Sequence, residues 1–177
     1  NTPPPIRGRA DELREARALL NAVSHGRGGA LVIEGPPGIG KSRLLTELAV
    51  LAGQAGVRTL HGEAFEYQRS VPYFSLFSAT LRTDPPVGDV DVLRQLGSSA
   101  DSSYWVVHHL QDAIHTVAAH SPLAIVLEDI HWADSGTLLA LRSLATARPD
   151  VPVLWIVTVR TGAGGPAVQD TLAVLHR

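Results

Sequence analysis

Two apolar patterns alternate along this chain, and their alternation predicts its architecture. The first is a short continuous apolar run, the form taken by a strand covered on both faces of a parallel sheet. Ala30-Leu31-Val32-Ile33-Glu34, Val57 to Gly62, Leu123-Ala124-Ile125-Val126-Leu127 and Val151 to Val159 have this form. The second is an apolar stripe at helical spacing. Asp11 to Val23 carries one at Leu13, Ala16, Leu19, Leu20 and Val23, and Gly26-Arg27-Gly28-Gly29 breaks it. Ser42 to Ala52 carries a second, with Gly53 as its expected stop. Ser102 to Ala119 carries a third, with Trp105, Leu110, Ile114 and Val117 as expected buried positions, and Gly136 to Ala147 reads as a further helix. Phe65 to Leu81 reads as partly helical, and the Pro-, Gly- and Asp-containing stretch from Thr83 to Asp91 as an exposed loop. Strands alternating with helices predict a doubly wound, mainly parallel central sheet inside a three-layer α/β/α fold.

Chemistry enters where the first strand meets its helix. Gly35-Pro36-Pro37-Gly38-Ile39-Gly40-Lys41-Ser42 fits the phosphate-cradling pattern Gly-x-x-x-x-Gly-Lys-Ser/Thr without a mismatch. Glycines let the backbone curl so that successive N–H groups point inward, and the following helix start adds partial positive charge. Lys41 is expected to reach the β- and γ-phosphates and Ser42 to offer its hydroxyl to Mg²⁺, with Arg43 completing the binding set. Strand, glycine loop and helix stand in the order that a P-loop NTPase fold demands. They predict a nucleoside triphosphate as ligand.

Composition changes this picture in a few respects. The chain has 177 residues, 45% hydrophobic and 18% charged, enough for one domain with a core of its own. Its net charge of −2 excludes a general nucleic-acid surface. No apolar run approaches a membrane span, and the N-terminus shows no charged-then-apolar leader, so a cytoplasmic location is expected. Cysteine is absent, which removes disulfides and thiolate metal sites. Methionine is absent too, which predicts that the chain is a piece of a longer protein. Residues 1–5, Asn1-Thr2-Pro3-Pro4-Pro5, read as linker and residues 6–177 as one domain.

A phosphate loop needs an acidic partner at the end of a neighbouring apolar strand. Leu123 to Leu127 runs directly into Glu128 and Asp129. In one register Glu128 takes the metal position, through water, and Asp129 polarises the attacking water. In the swapped register Asp129 holds the metal. Adjacent residues on a strand face opposite ways, so only one of the two is expected to meet the ion directly.

Around these acids the chain resembles a known family. Ile125-Val126-Leu127-Glu128-Asp129-Ile130-His131-Trp132-Ala133-Asp134 resembles the second nucleotide-site motif of AAA-type ATPase domains of the STAND class, as found in large ATP-binding LuxR-type transcriptional regulators. The His-Trp-Ala-Asp tetrad is its distinctive part. Ile6-Arg7-Gly8-Arg9-Ala10-Asp11-Glu12-Leu13 resembles the family's opening motif, and Val157-Thr158-Val159-Arg160 resembles the strand that carries its polar sensor. The resemblance runs from about Ile6 to Arg160. It implies a signal-transduction module in which ATP or ADP sets an on or off state. Arg160 would then contact the γ-phosphate, and Arg9 would lie near the base or ribose. It also implies a helical lid, further sensor elements and a DNA-binding domain elsewhere in the same protein, with DNA touched only through those parts. The isolated domain is expected to be monomeric, and the full protein to oligomerise with ATP. The same module is also joined to cyclase or kinase effectors in related proteins.

One departure bears on rate. Many P-loop ATPases place Asp on the metal and Glu on the water, whereas this chain reads Glu128 then Asp129. The shorter carboxylate must come closer to the water, which predicts slow turnover and a switch more than a motor. A small-molecule kinase and a module that keeps nucleotide without hydrolysing it are the rival readings. Other residues add less. His108, His109, His115 and His120 lack a ligand spacing with acids, and His131 and Trp132 are expected to pack and position the loop after the strand. Phe65, Tyr67, Tyr73, Phe74 and Phe77 are expected to pack their segment on the sheet.

Overall fold

The structure, a computed structural model, describes residues 10–177. The linker, Arg9 and the start of the opening motif lie outside the described residues. Within them, helix α1 (Ala10–Ser24) leads to strand β1 (Gly29–Glu34), helix α2 (Lys41–Gln54) and strand β2 (Arg58–Glu63). Helices α3 (Phe74–Leu81), α4 (Val90–Gly97) and α5 (Ser103–Ala118) come next. Then follow strand β3 (Leu123–Glu128), helix α6 (Ser135–Thr146), strand β4 (Val153–Val159) and helix α7 (Pro166–Leu175). The strands form one sheet in the order β1-β4-β3-β2, and all three pairings are parallel. This is the expected α/β architecture.

Side-chain alternation builds the three layers. In β3 and β4 every residue from Leu123 to Leu127 and from Val153 to Val159 is buried. Ala124, Val126, Leu154 and Ile156 point to the face covered by α1 and α2, where Ala16, Leu20, Leu44 and Leu48 meet them. Leu123, Ile125, Leu127, Val153, Trp155 and Val157 point the other way, into a second cluster with α3, α5, α6 and α7. Complete burial of one such side chain is worth about 1.5–3 kcal/mol, so the two central strands anchor both layers.

The helices depart from expectation in three places. α2 runs through Gly53 and stops where Gly56, at φ +72°, takes the left-handed turn; Val57 N–H then closes the end on Ala52 O at 2.9 Å. α4 occupies a stretch for which no helix was expected, and Asp89 starts it by accepting from the N–H groups of Asp91 and Val92, both at 3.0 Å. Just before it, Val87 is buried, so the segment expected to be an exposed loop contributes to the core. On α5 the buried stripe is Val106, Leu110, Ile114 and Ala118, while Trp105 is 54% exposed. Of the clustered aromatics, Tyr73 is buried and stacks on Phe77 with centroids 5.3 Å apart, whereas Tyr67 is 78% exposed.

Gly62, in β2, lies directly against the backbone of α3. A Cβ placed there would overlap the carbonyl oxygen of Ser75 in α3, which is backbone and has nowhere to go. Gly62→Ala should therefore destabilise the chain by about 1–3 kcal/mol or more. Urea unfolding, read as a lowered midpoint at unchanged slope, checks this.

Candidate functional site

β1 delivers the chain into the glycine loop, and α2 carries it away. Gly38 and Gly40 sit at φ +77° and +87°, a region glycine enters without the cost a Cβ imposes. Gly40 is also the residue before α2, and having no side chain it caps none of the N–H groups of the helix's first turn. Those donors are what a phosphate needs. Lys41 Nζ donates to Gly35 O at 2.9 Å and to Pro36 O at 3.1 Å, which holds the ammonium against the loop.

Opposite the loop lie the ends of β3 and β4. A cavity of about 430 Å³ is lined by Pro37, Gly38, Gly40, Lys41, Ser42, Asp129, His131, Trp132 and Arg160. Four separately expected residues, Lys41, Ser42, Asp129 and Arg160, thus share one cavity. Gly35, Pro36, Ile39 and Arg43 belong to the same loop and helix turn but do not line it. Glu128 does not line it either. By strand alternation it shares the α2 side of the sheet with Val126, and its Oε1 meets His61 Nε2 of the neighbouring β2 at 2.5 Å.

The two acids are separated by a backbone turn. Asp129 is in the left-handed conformation, φ 54° and ψ 45°, which takes it out of the strand's alternation. Its N–H donates to the buried Thr158 Oγ1 of β4 at 2.9 Å, so the adjacent strand fixes the turn. Glu63 stands opposite Glu128 in the β2–β3 register. Burial, and then the charges of Glu128 and Asp129, push the Glu63 carboxyl above the usual range. The hydrogen bond to Glu128 raises His61, against an opposing effect of burial.

The tetrad after β3 organises this rim. His131 is buried, and its Nδ1 accepts from Arg160 N–H at 3.3 Å, which ties the residue after β4 to the loop after β3. Burial lowers the His131 pKa first, and the charges of Lys41, Arg160 and Arg69 lower it further against the pull of Asp129. A neutral ring is what an accepting Nδ1 requires. The Arg69 guanidinium lies over the Trp132 ring at 5.9 Å from its centroid. Asp134 is buried and starts α6. Its Oδ1 accepts from Thr137 N–H at 2.9 Å and from Tyr73 N–H at 2.8 Å, and its Oδ2 accepts from the Thr137 hydroxyl at 2.6 Å.

Sequence reasoning missed His61, Arg69 and the role of Asp134. Only Asp134 left a readable signal: an Asp three residues before a Thr at the start of a helical stripe. His61 and Arg69 meet the site through strand pairing and ring stacking between distant segments.

The donor set fits a polyphosphate carrying a divalent cation. Backbone N–H groups, an ammonium and a guanidinium suit the phosphate oxygens, and a hydroxyl and a carboxylate suit Mg²⁺. Among the described residues no three His, Asp or Glu side chains are grouped to hold an ion unaided. An ion here would share its coordination with phosphate and water, as Mg²⁺ commonly does.

The chain is 30% identical over 190 residues to an uncharacterized protein of Rhizobium meliloti (strain 1021), covering 88% of this chain and 18% of that protein. It thus spans about a fifth of the length of that relative. Among solved structures it is similar to Drosophila ORC bound to AT-rich DNA and Cdc6, with a TM-score of 0.50 at 11% identity over 94% of this chain and 56% of that one. Drosophila ORC bound to DNA gives the same TM-score at 12% identity, over 93% of this chain and 87% of that one. At such identities the likeness concerns the fold. Residues 5–156 match the model described as AAA ATPase domain. That match covers most of the chain, which therefore belongs to the AAA ATPase domain family, a family of nucleotide-binding domains.

Proposed function

We propose that this domain is a slowly hydrolysing ATP switch from a multidomain LuxR-type transcriptional regulator of the STAND class. The observation that carries the nucleotide part is the single cavity shared by Lys41, Ser42, Asp129 and Arg160. The regulator part is supported by the His131-Trp132-Ala133-Asp134 tetrad, and the multidomain part by a relative of which this chain spans 18%. Lid, further sensor and DNA-binding parts would be supplied by the rest of such a protein, and ATP-driven oligomerisation with them.

In this reading the N–H groups of Gly38 to Ser42 and the Lys41 ammonium hold the β- and γ-phosphates. Ser42 offers its hydroxyl to Mg²⁺, which when bound neutralises charge on the phosphate oxygens. Asp129, on the opposite wall, orients the attacking water and takes its proton. Glu128, held by His61, reaches the ion only through water. Arg160 reads the terminal phosphate, and its backbone is fixed by His131. Arg9 is assigned to the base or ribose.

Three outcomes are expected. Lys41→Ala should weaken ATP and ADP binding by about 10- to 150-fold, the equivalent of one charge-assisted contact of about 1.5–3 kcal/mol, as read by calorimetric titration. Normal affinity in that variant would remove the site assignment. Wild-type phosphate release should stay below about 1 s⁻¹, and Asp129→Asn should lower it by about 10²- to 10⁴-fold with nucleotide affinity nearly unchanged. Equal turnover in Asp129→Asn would show that this residue does not handle the water. Arg160→Ala should erase any preference for ATP over ADP while leaving ADP affinity within about twofold; a preserved preference would assign the sensing elsewhere.

A further inference from the structure

A second concave site lies on the other side of the tetrad from the nucleotide cavity. It is a cleft of about 700 Å³, walled by the chain before α3, the end of α4, the start of α5 and the outer side of α6. Its size suits a small ligand. Arg69 and Arg142 line it, and among the described residues neither guanidinium pairs with a carboxylate. Ser70, Ser99 and Ser103 also line it, and their hydroxyls make no hydrogen bond among the described residues. Pro72, Tyr73 and Leu139 supply apolar surface beside them.

The one carboxylate in the cleft is already committed. Asp134 accepts from the N–H groups of Tyr73 and Thr137 and from the Thr137 hydroxyl, and among the described residues it pairs with neither arginine. α5 begins at Ser103 after a short turn, Ala100–Ser102, that carries Asp101, and Ser102 makes no side-chain cap. Arg69 also lines the adjoining concavity of His131, Trp132 and Arg160, and its guanidinium rests over the Trp132 ring at the border between the two. A planar guanidinium suits the paired oxygens of a phosphate or a carboxylate. The charge of the cleft is thus positive in a chain whose net charge is −2.

From these features we infer that the cleft binds a small organic anion, a phosphate monoester or a carboxylate. Its oxygens are gripped by Arg69 and Arg142, and its carbon skeleton lies against Pro72, Tyr73 and Leu139. Nucleic acid is a poor match, since it is held by rows of phosphate contacts along a surface, and here two cations line one concavity. The ligand would touch two segments that also shape the nucleotide site, Arg69 through Trp132 and Tyr73 through Asp134. The inference does not depend on the nucleotide reading.

The test uses the whole chain carrying Lys41→Ala, so that the glycine loop does not compete for anions. Glucose 6-phosphate and citrate serve as separate probes in calorimetric titrations, one for each oxyanion chemistry. At least one should bind saturably with a Kd on the order of 1 mM or tighter. Adding Arg142→Ala should weaken that binding at least tenfold, roughly the worth of one charge-assisted contact. Adding Leu139→Trp, at an exposed position, should weaken it by filling the apolar side, and Arg94→Ala on α4 should leave it unchanged. Absence of saturable binding by both probes, or equal affinity with Arg142→Ala and Leu139→Trp, overturns the inference. ATP binding by the wild-type chain is read separately, so failure of one reading is not mistaken for failure of the other.

Discussion

The structure depends on burying β3 and β4 on both faces. A strand covered by helices on two sides has no place for an unpaired polar side chain, so its interior must be apolar from end to end. Leu123 to Leu127 and Val153 to Val159 obey this, with Thr158 the one polar residue, and its hydroxyl accepts the Asp129 N–H. Chemistry is thereby displaced to where the strands stop. Because the four strands are parallel, they all stop on the same rim: the glycine loop after β1, Glu63 ending β2, Glu128 ending β3 with Asp129 after it, Arg160 after β4.

A rim made of loop ends must be stiffened by something other than sheet pairing. Three residues of the tetrad do this. His131 holds the Arg160 backbone, Trp132 carries Arg69, and Asp134 joins the start of α6 to Tyr73, while Ala133 is buried. Tyr73 takes a left-handed conformation, φ 57°, which a non-glycine residue adopts only where its surroundings fix it. The same few residues stand between the cavity at the glycine loop and the neighbouring cleft.

Much of this was legible in the chain because the signals are local. Strands covered on both faces leave unbroken apolar runs, and a glycine loop must keep its spacing to work. The errors arose where phase or partner decides. Trp105 and Val106 stand about 100° apart on a helix, and only the four-residue spacing of Val106, Leu110, Ile114 and Ala118 fixes which one turns inward. α4 is two turns long, too short for periodicity to speak, and its cap on Asp89 carries the information instead. The divergence of Glu128 and Asp129 depends on Thr158 and His61, neighbours by strand register and distant in sequence. Register between strands joined by long crossovers is written in packing, which no single segment records.

The strand order also acts as a ruler. β1, which carries the phosphate loop, and β3, which carries the acids, are not neighbours, because β4 lies between them. Two inter-strand steps of about 4.8 Å set their ends about 10 Å apart. That span admits a phosphate group, a hydrated cation and a water in line, where adjacent strands would force lysine and carboxylate into a direct ion pair. β4, whose own contribution to the rim is Arg160, thus keeps the two opposite charges far enough apart for a third charged body to stand between them.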